Sequence, residues 1–275
     1  MELVKNGEFY CTPPIKTMED AFSVKGKNVV ITGGNRGIGR GITQAFAESG
    51  ANIVILCRRE ESGKKAVEEI QQFGGRYACF ACEISNHESV IEAAKKTFEF
   101  FDHVDVLINN AGVATTTPLL DPNGLNEWLR VVDTDLNGLA YMIYEFAPKM
   151  IEAKLGGEII NISSIGAVSV SGCKQHHDAP YNAAKAGVDI FSRYLAIVLG
   201  DYGIRVNTIR PGPHHSDLEV HLSDYMRGLI KDQMPCHRFG EPIELGAFCV
   251  YLSSPAAVHI TGCNMNFDGG MLCVK

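Results

Sequence analysis

An apolar run, Asn28–Thr32, leads directly into Thr32-Gly33-Gly34-Asn35-Arg36-Gly37-Ile38-Gly39, and helical periodicity begins at Gly37. This junction constrains the chain more than any other stretch. Glycines at 33, 37 and 39 permit a tight turn and a close backbone approach. The helix start behind them offers free N–H groups and partial positive charge to a pyrophosphate. The same alternation of strand-length and helix-length segments continues to the C-terminus, the pattern of βαβ units on a parallel sheet. Strands are predicted at Asn28–Thr32, Asn52–Cys57, Arg76–Cys82, Val104–Asn109, Glu158–Ser163, Ile204–Arg210 and Cys263–Phe267. Most are continuous Val/Ile/Leu runs, as strands buried on both faces require. Helices are predicted at Gly37–Ser49, Glu60–Phe73, Asn86–Phe101, Asn123–Ala153, Pro180–Tyr202 and Glu241–Leu252. The expected fold class is α/β, a doubly wound parallel sheet with helices on both faces, formed as one domain by residues 23–275. Residues 1–22 read as an extension packed on the body or on a neighbouring subunit. The stretch from about Pro211 to Gly240, rich in His, Asp and Met, sits where a lid over a pocket belongs.

Composition narrows the partners. Net charge is −7, with 21% charged and 45% hydrophobic residues and no Lys/Arg-rich run, which argues against nucleic acid or an anionic membrane surface. No apolar stretch approaches the roughly 20 residues needed to span a bilayer. The first twenty residues lack the apolar centre of a signal peptide. A cytoplasmic location is expected. The nine cysteines show no paired zinc spacing. Cys79-Phe-Ala-Cys82 lies in a predicted strand, where positions i and i+3 face opposite ways, so it reads as two buried thiols rather than a redox pair. His176-His177 and His214-His215 lack i, i+4 ligand spacing and read as loop histidines near a pocket.

Tyr181 and Lys185 stand one helical turn apart and share a helix face. Bringing a phenol from its ordinary pKa near ~10 to about 7 takes roughly 4 kcal/mol. A unit charge at about 4 Å in an effective dielectric of about 20 supplies that much. The pair is a candidate general acid/base for the proton of an alcohol.

Five motifs then occur in one order: Thr-Gly-x-x-x-Gly-Ile-Gly at 32–39, Asn109-Asn110-Ala111-Gly112, Ser164, the Tyr181/Lys185 pair, and Pro211-Gly212. This order resembles the short-chain dehydrogenase/reductase family from about Phe22 to Gly270. The resemblance implies a Rossmann fold, a nicotinamide dinucleotide and a homotetramer or homodimer. It implies that Tyr181 is the general acid/base, that Lys185 lowers its pKa and holds the nicotinamide ribose, and that Ser164 hydrogen-bonds the substrate oxygen. The implied cofactor contacts are Gly33, Asn35, Arg36, Gly37, Ile38, Gly39, Cys57, Arg58, Glu83, Ile84, Asn109, Ala111, Gly112, Tyr181, Lys185, Pro211, Gly212, His214 and Ser216. The implied activity interconverts a ketone and a secondary alcohol.

Three departures stand out. Asp135, in Thr134-Asp-Leu-Asn-Gly138, occupies the position of a family Asn that assists a water relay to the lysine; it is carried as a fourth catalytic residue. Ser164 and Tyr181 are 17 positions apart, so the intervening loop carries extra residues around Cys173–Asp178 that border the pocket. Glu83 stands where an Asp near the adenine is usual. Where NAD-specific members carry a carboxylate at the end of the second strand, this chain has Cys57-Arg58-Arg59, with Arg36 nearby, so NADP(H) is favoured over NAD(H). The alternative is that these arginines point to solvent.

The substrate is expected to be a small ketone or alcohol. Asp-Leu-Asn-Gly at 135–138 resembles fungal ketose and polyol reductases, and the N-terminal extension favours the same class. Val113, Val168, Leu218, Leu222 and Met226 would equally suit a hydroxysteroid, or serve only as a stripe covering the core. A 3-oxoacyl-carrier reductase would be helped by a basic patch, and none is evident. Enoyl reductases of the family space Tyr and Lys more widely. A non-catalytic dinucleotide sensor is the alternative of another class; such proteins typically lose Ser, Tyr or Lys, and this chain keeps all three.

Overall fold

Apolar strands buried on both faces form the centre of one parallel sheet, with partly exposed strands at its two edges. The computed structural model describes residues 15–115, 117–170, 178–215, 224–232 and 234–273. Its strands are β1 (Asn28–Thr32), β2 (Asn52–Cys57), β3 (Tyr77–Ala81), β4 (Val106–Asn109), β5 (Gly157–Ile162), β6 (Ile204–Pro211) and β7 (Asn264–Phe267), in the order β3-β2-β1-β4-β5-β6-β7. Every pairing is parallel, Val30 lying opposite Val54 on one side and Leu107 on the other.

The helices are α1 (Met18–Phe22), α2 (Gly37–Glu48), α3 (Glu60–Ile70), α4 (His87–Phe100), α5 (Gly124–Val132), α6 (Gly138–Ala153), α7 (Ala179–Gly200), α8 (Asp224–Asp232) and α9 (Pro242–Ser253). Strand residues alternate between two cores. Val29, Ile31, Ile53 and Ile55 pack with Ile42 and Phe46 of α2, Ile70 of α3 and Leu245 of α9. Val30, Val54 and Leu107 pack with Val90 of α4, Met142 and Phe146 of α6 and Val188 of α7. The chain reverses its winding between β1 and β4, and a crevice opens there at the carboxyl ends of the strands. Thr32 ties the crevice floor together: its Oγ1 accepts the N–H groups of Asn110 (2.9 Å) and Ala111 (3.0 Å).

Strand and helix ends mostly fall within a residue or two of those predicted. The main difference is the helix predicted over Asn123–Ala153. It is interrupted by a π-helical stretch, Asp133–Asn137, between α5 and α6. A wide turn adds a residue without breaking the apolar stripe, so periodicity does not reveal it. In the N-terminal extension, α1 packs on the body: Ala21 is buried, and the ring of Phe22 lies 6.1 Å from that of Tyr251 at the end of α9.

The α2–α9 contact is a backbone approach. A Cβ on Gly41 would collide with the backbone carbonyl of Pro242, which cannot swing aside as a side chain would. Gly41→Ala is therefore expected to destabilise the protein by about 1–3 kcal/mol, read as a lower midpoint in denaturant unfolding. An unchanged midpoint would show that α9 can retreat freely.

Candidate active site

The crevice is a cavity of about 540 Å³ running from the β2–β3 edge, across the β1–β4 reversal, to the end of β6. Its first wall is the turn after β1. Gly33 has φ +67° and Gly37 φ +51°, a left-handed backbone that favours glycine. A Cβ on Gly39 would strike the carbonyl oxygen of Gly33 and lie 2.5 Å from Asn110 Nδ2, so only glycine allows this turn to close on the helix. No side chain caps the first turn of α2. Its N–H groups and helix dipole thus face the cavity. This is a cradle of the shape and polarity that a dinucleotide's pyrophosphate requires.

The expected site residues assemble with two exceptions. Gly33, Asn35, Arg36, Gly37, Ile38, Gly39, Cys57, Arg58, Glu83, Ile84, Ala111, Gly112, Ser164, Tyr181, Lys185, Pro211, Gly212, His214 and Asp135 all line the cavity. Asn109 does not. It is buried behind the wall, where its Nδ2 donates to Asn161 Oδ1 (2.8 Å), and Asn161 Nδ2 in turn donates to Ser192 Oγ (2.8 Å). Successive strand-end residues face opposite ways, so the neighbour, Asn110, takes the cavity side. The second exception, Ser216, lies outside the described residues, as do Leu218, Leu222 and Cys173 to His177. Val113 lines the cavity, whereas Val168 is half exposed and is not among the lining residues.

At the β2 end, Asn35 Nδ2 donates to Ser62 Oγ (2.9 Å), and Arg58 Nε lies 3.8 Å from Glu83 Oε2. Cys57 Sγ lies 3.7 Å from Cys79 Sγ on the adjacent strand, so the thiol neighbour of Cys79 is Cys57. Cys82 is separately buried, and burial pushes its thiol up to about 12.

The opposite end holds the ionisable groups. Lys185 sits on α7 only 4% exposed, its Nζ 3.1 Å from Asp135 Oδ2 and donating to the Ile162 carbonyl at 3.1 Å. It stands 5.5 Å from the centre of the Tyr181 ring. Burial pushes Lys185 toward its neutral form. The carboxylate of Asp135, helped by Tyr181 and Asp189, more than offsets this and holds its pKa above the ordinary value. Asp135 Oδ1 accepts the Val113 N–H at 2.7 Å, which anchors the carboxylate from the β4 side. Ser164 Oγ accepts the Gly166 N–H at 3.0 Å, leaving its own proton to donate into the cavity. His214 is buried, hydrogen-bonded through Nδ1 to the Gly212 carbonyl oxygen (2.9 Å). Burial lowers its pKa, so it is held neutral. Sequence reasoning missed Ser62, Asn110, Arg130 and Thr134 in the wall. Arg130 lies one turn before Thr134 on the helix that carries Asp135, a spacing that could have found it.

A family model described as enoyl-(acyl carrier protein) reductase matches residues 33–272. The chain is 37% identical over 246 residues to a 3-oxoacyl-[acyl-carrier-protein] reductase of Chlamydia muridarum, covering 89% of this chain and 97% of that protein. It is 32% identical over 255 residues to a sorbose reductase of Candida albicans, covering 92% and 90%. The structure superposes on the NADPH-dependent 3-quinuclidinone reductase of Rhodotorula rubra with a TM-score of 0.89 at 30% identity, covering 96% of this chain and 98% of that one. No helix among the described residues is long and apolar enough to cross a membrane. With a glycine cradle at one end of a single crevice and a lysine-backed tyrosine at the other, this chain belongs to the short-chain dehydrogenase/reductase family, NAD(P)-dependent oxidoreductases acting on CH–OH groups of small molecules.

Proposed function

We propose that the protein reduces a ketose-like ketone to a secondary alcohol, and the reverse, with Tyr181, Ser164, Lys185 and Asp135 as its catalytic set. The observation that carries this is the clustering of the four around one end of the cavity, with Lys185 buried and charged beside the tyrosine ring. When bound, the nicotinamide supplies or accepts the hydride. The glycine turn and the first turn of α2 would hold the pyrophosphate, with Ala111 and Gly112 lining the same cleft. The Pro211-Gly212 backbone and His214 would close the nicotinamide end. Ser164 donates its free proton to the substrate oxygen and orients it. Tyr181 passes its phenolic proton to that oxygen in reduction and recovers it in oxidation. Lys185 stabilises the phenolate and keeps donor capacity for the nicotinamide ribose.

NADP(H) is the favoured cofactor. The end of β2 offers a thiol rather than a carboxylate, and Arg36, Arg58, Arg59 and Ser62 line the same cavity. The similarity to an NADPH-dependent reductase agrees. Glu83, 3.8 Å from Arg58, takes part of that charge, so the preference for NADP(H) is one of degree.

A ketose is favoured by the Asp135-Leu136-Asn137-Gly138 segment and by the similarity to a sorbose reductase. The 37% identity to an acyl-carrier reductase supports a second reading, a 3-oxoacyl thioester. A net charge of −7 disfavours docking of an acidic carrier. The hydroxysteroid alternative is supported by the 32% identity to a 3beta-hydroxysteroid dehydrogenase of Eggerthella lenta, covering 90% of this chain and 94% of that protein. Of the apolar residues named for it, Val113 lines the cavity, Val168 does not, and Leu218 and Leu222 lie outside the described residues. Ile190, Tyr194 and Ile197 form an exposed apolar stripe on α7, which supports assembly with further copies of the chain.

Three outcomes test these assignments. Consumption of NADPH is expected with ketoses in a panel that also holds 3-oxoacyl thioesters, steroids and diketones; turnover of the thioesters alone would replace the ketose assignment. Tyr181→Phe is expected to lower kcat/KM by about 10²–10⁴-fold while NADPH still binds, followed by fluorescence titration. Arg58→Asp is expected to lower the NADPH-to-NADH ratio of kcat/KM by about tenfold or more, and an unchanged ratio would discredit the NADP(H) assignment.

A further inference from the structure

A neutral asparagine beside Lys185 would leave the ammonium's whole charge to act on Tyr181. Here the neighbour is a carboxylate, buried with a fully covered side chain, its Oδ2 3.1 Å from Nζ and its Oδ1 fixed by the Val113 N–H at 2.7 Å. From 5.5 Å away, the tyrosine ring faces a closed ion pair rather than a lone cation. The field of a pair falls off faster with distance than that of a single charge.

We propose that Asp135 sets the pH range in which this site works, by cancelling much of the Lys185 field at the phenol. This rests on Tyr181 being the acid/base group.

Among the described residues, the other charged groups nearby are paired or, in the case of His214, disfavoured in the charged form by burial. On α7, Asp189 lies one turn beyond Lys185, and its Oδ2 accepts from Arg210 Nε of β6 at 2.7 Å. From α5, Arg130 feels the charge of Asp135 but is held by Glu127 at 2.8 Å and by the Ala114 carbonyl at 2.8 Å. After β6, burial lowers the pKa of His214, disfavouring its charged form. Among the described residues, Asp135 is thus the acid in direct contact with the ammonium.

The sign follows from charge alone. Removing the carboxylate uncovers the ammonium, and an uncovered cation favours the phenolate. Reduction needs the phenolic proton, so its alkaline limb should fall at lower pH. Oxidation needs the proton gone, so its acid limb should rise at lower pH. Both limbs move the same way, by about one pH unit or more.

The experiment compares pH profiles of kcat/KM in both directions for the wild type, Asp135→Asn and Asp135→Ser. Each replacement keeps an acceptor for the Val113 N–H, so either one reports if the other folds poorly. A readout independent of turnover is the near-ultraviolet tyrosinate absorbance of the cofactor-free protein, taken as the difference from Tyr181→Phe. The expected result is an acid-ward shift of both limbs and of the absorbance step. Asp189→Asn, farther away and paired with Arg210, should move them the same way by less. Limbs that stay in place would overturn the proposal. So would limbs that move alkaline-ward, since that would show the carboxylate is needed to keep Lys185 charged. If Tyr181→Phe retains turnover, the acid/base assignment itself fails; if it is inactive and the limbs still do not move, only the role given to Asp135 fails.

Discussion

An ammonium taken out of water is costly unless partners replace its hydration. Lys185 therefore constrains the surrounding architecture. Its two partners come from different elements: Asp135 from the π-helical stretch, and the Ile162 carbonyl from the end of β5. Asp135 is in turn held by Val113, beyond β4. Two adjacent strand ends and two helical segments must meet within a few ångströms for the charge to be tolerated. The ion pair acts as a geometric lock on the catalytic end of the cleft as much as an electrostatic device.

The other end of the cleft depends on the absence of atoms. Gly39 lets the turn after β1 fold back on itself, and Gly41 lets α2 lie against the start of α9. Thr32 bridges β1 to the Asn110-Ala111 turn across the reversal of winding. A cradle for phosphate and a lock around an ammonium thus sit at opposite ends of one crevice. The parallel sheet fixes the distance between them.

Most of this was legible in the chain. Continuous apolar runs marked the buried strands. The order of the glycine turn, Ser164, Tyr181/Lys185 and Pro211-Gly212 marked the cavity wall. What escaped were features that depend on side-chain direction or on a single added residue. Asn109 and Asn110 are chemically identical in sequence, and only the strand pleat decides which one faces the cleft. Cys79 and Cys82 face opposite ways, as strand alternation requires, but only the parallel pairing shows that the thiol beside Cys79 is Cys57. Ser62 reaches the wall through the placement of α3, which no local motif encodes.

The π-helical stretch at Asp133–Asn137 carries one residue more than a regular helix needs for the same advance. An α-helix turns about 100° per residue. Deleting one of its residues other than Asp135 would let the backbone relax into a uniform coil and rotate the acid away from its partner, though all four catalytic side chains survived. The length of this segment is thus as much a part of the site as the acid it carries.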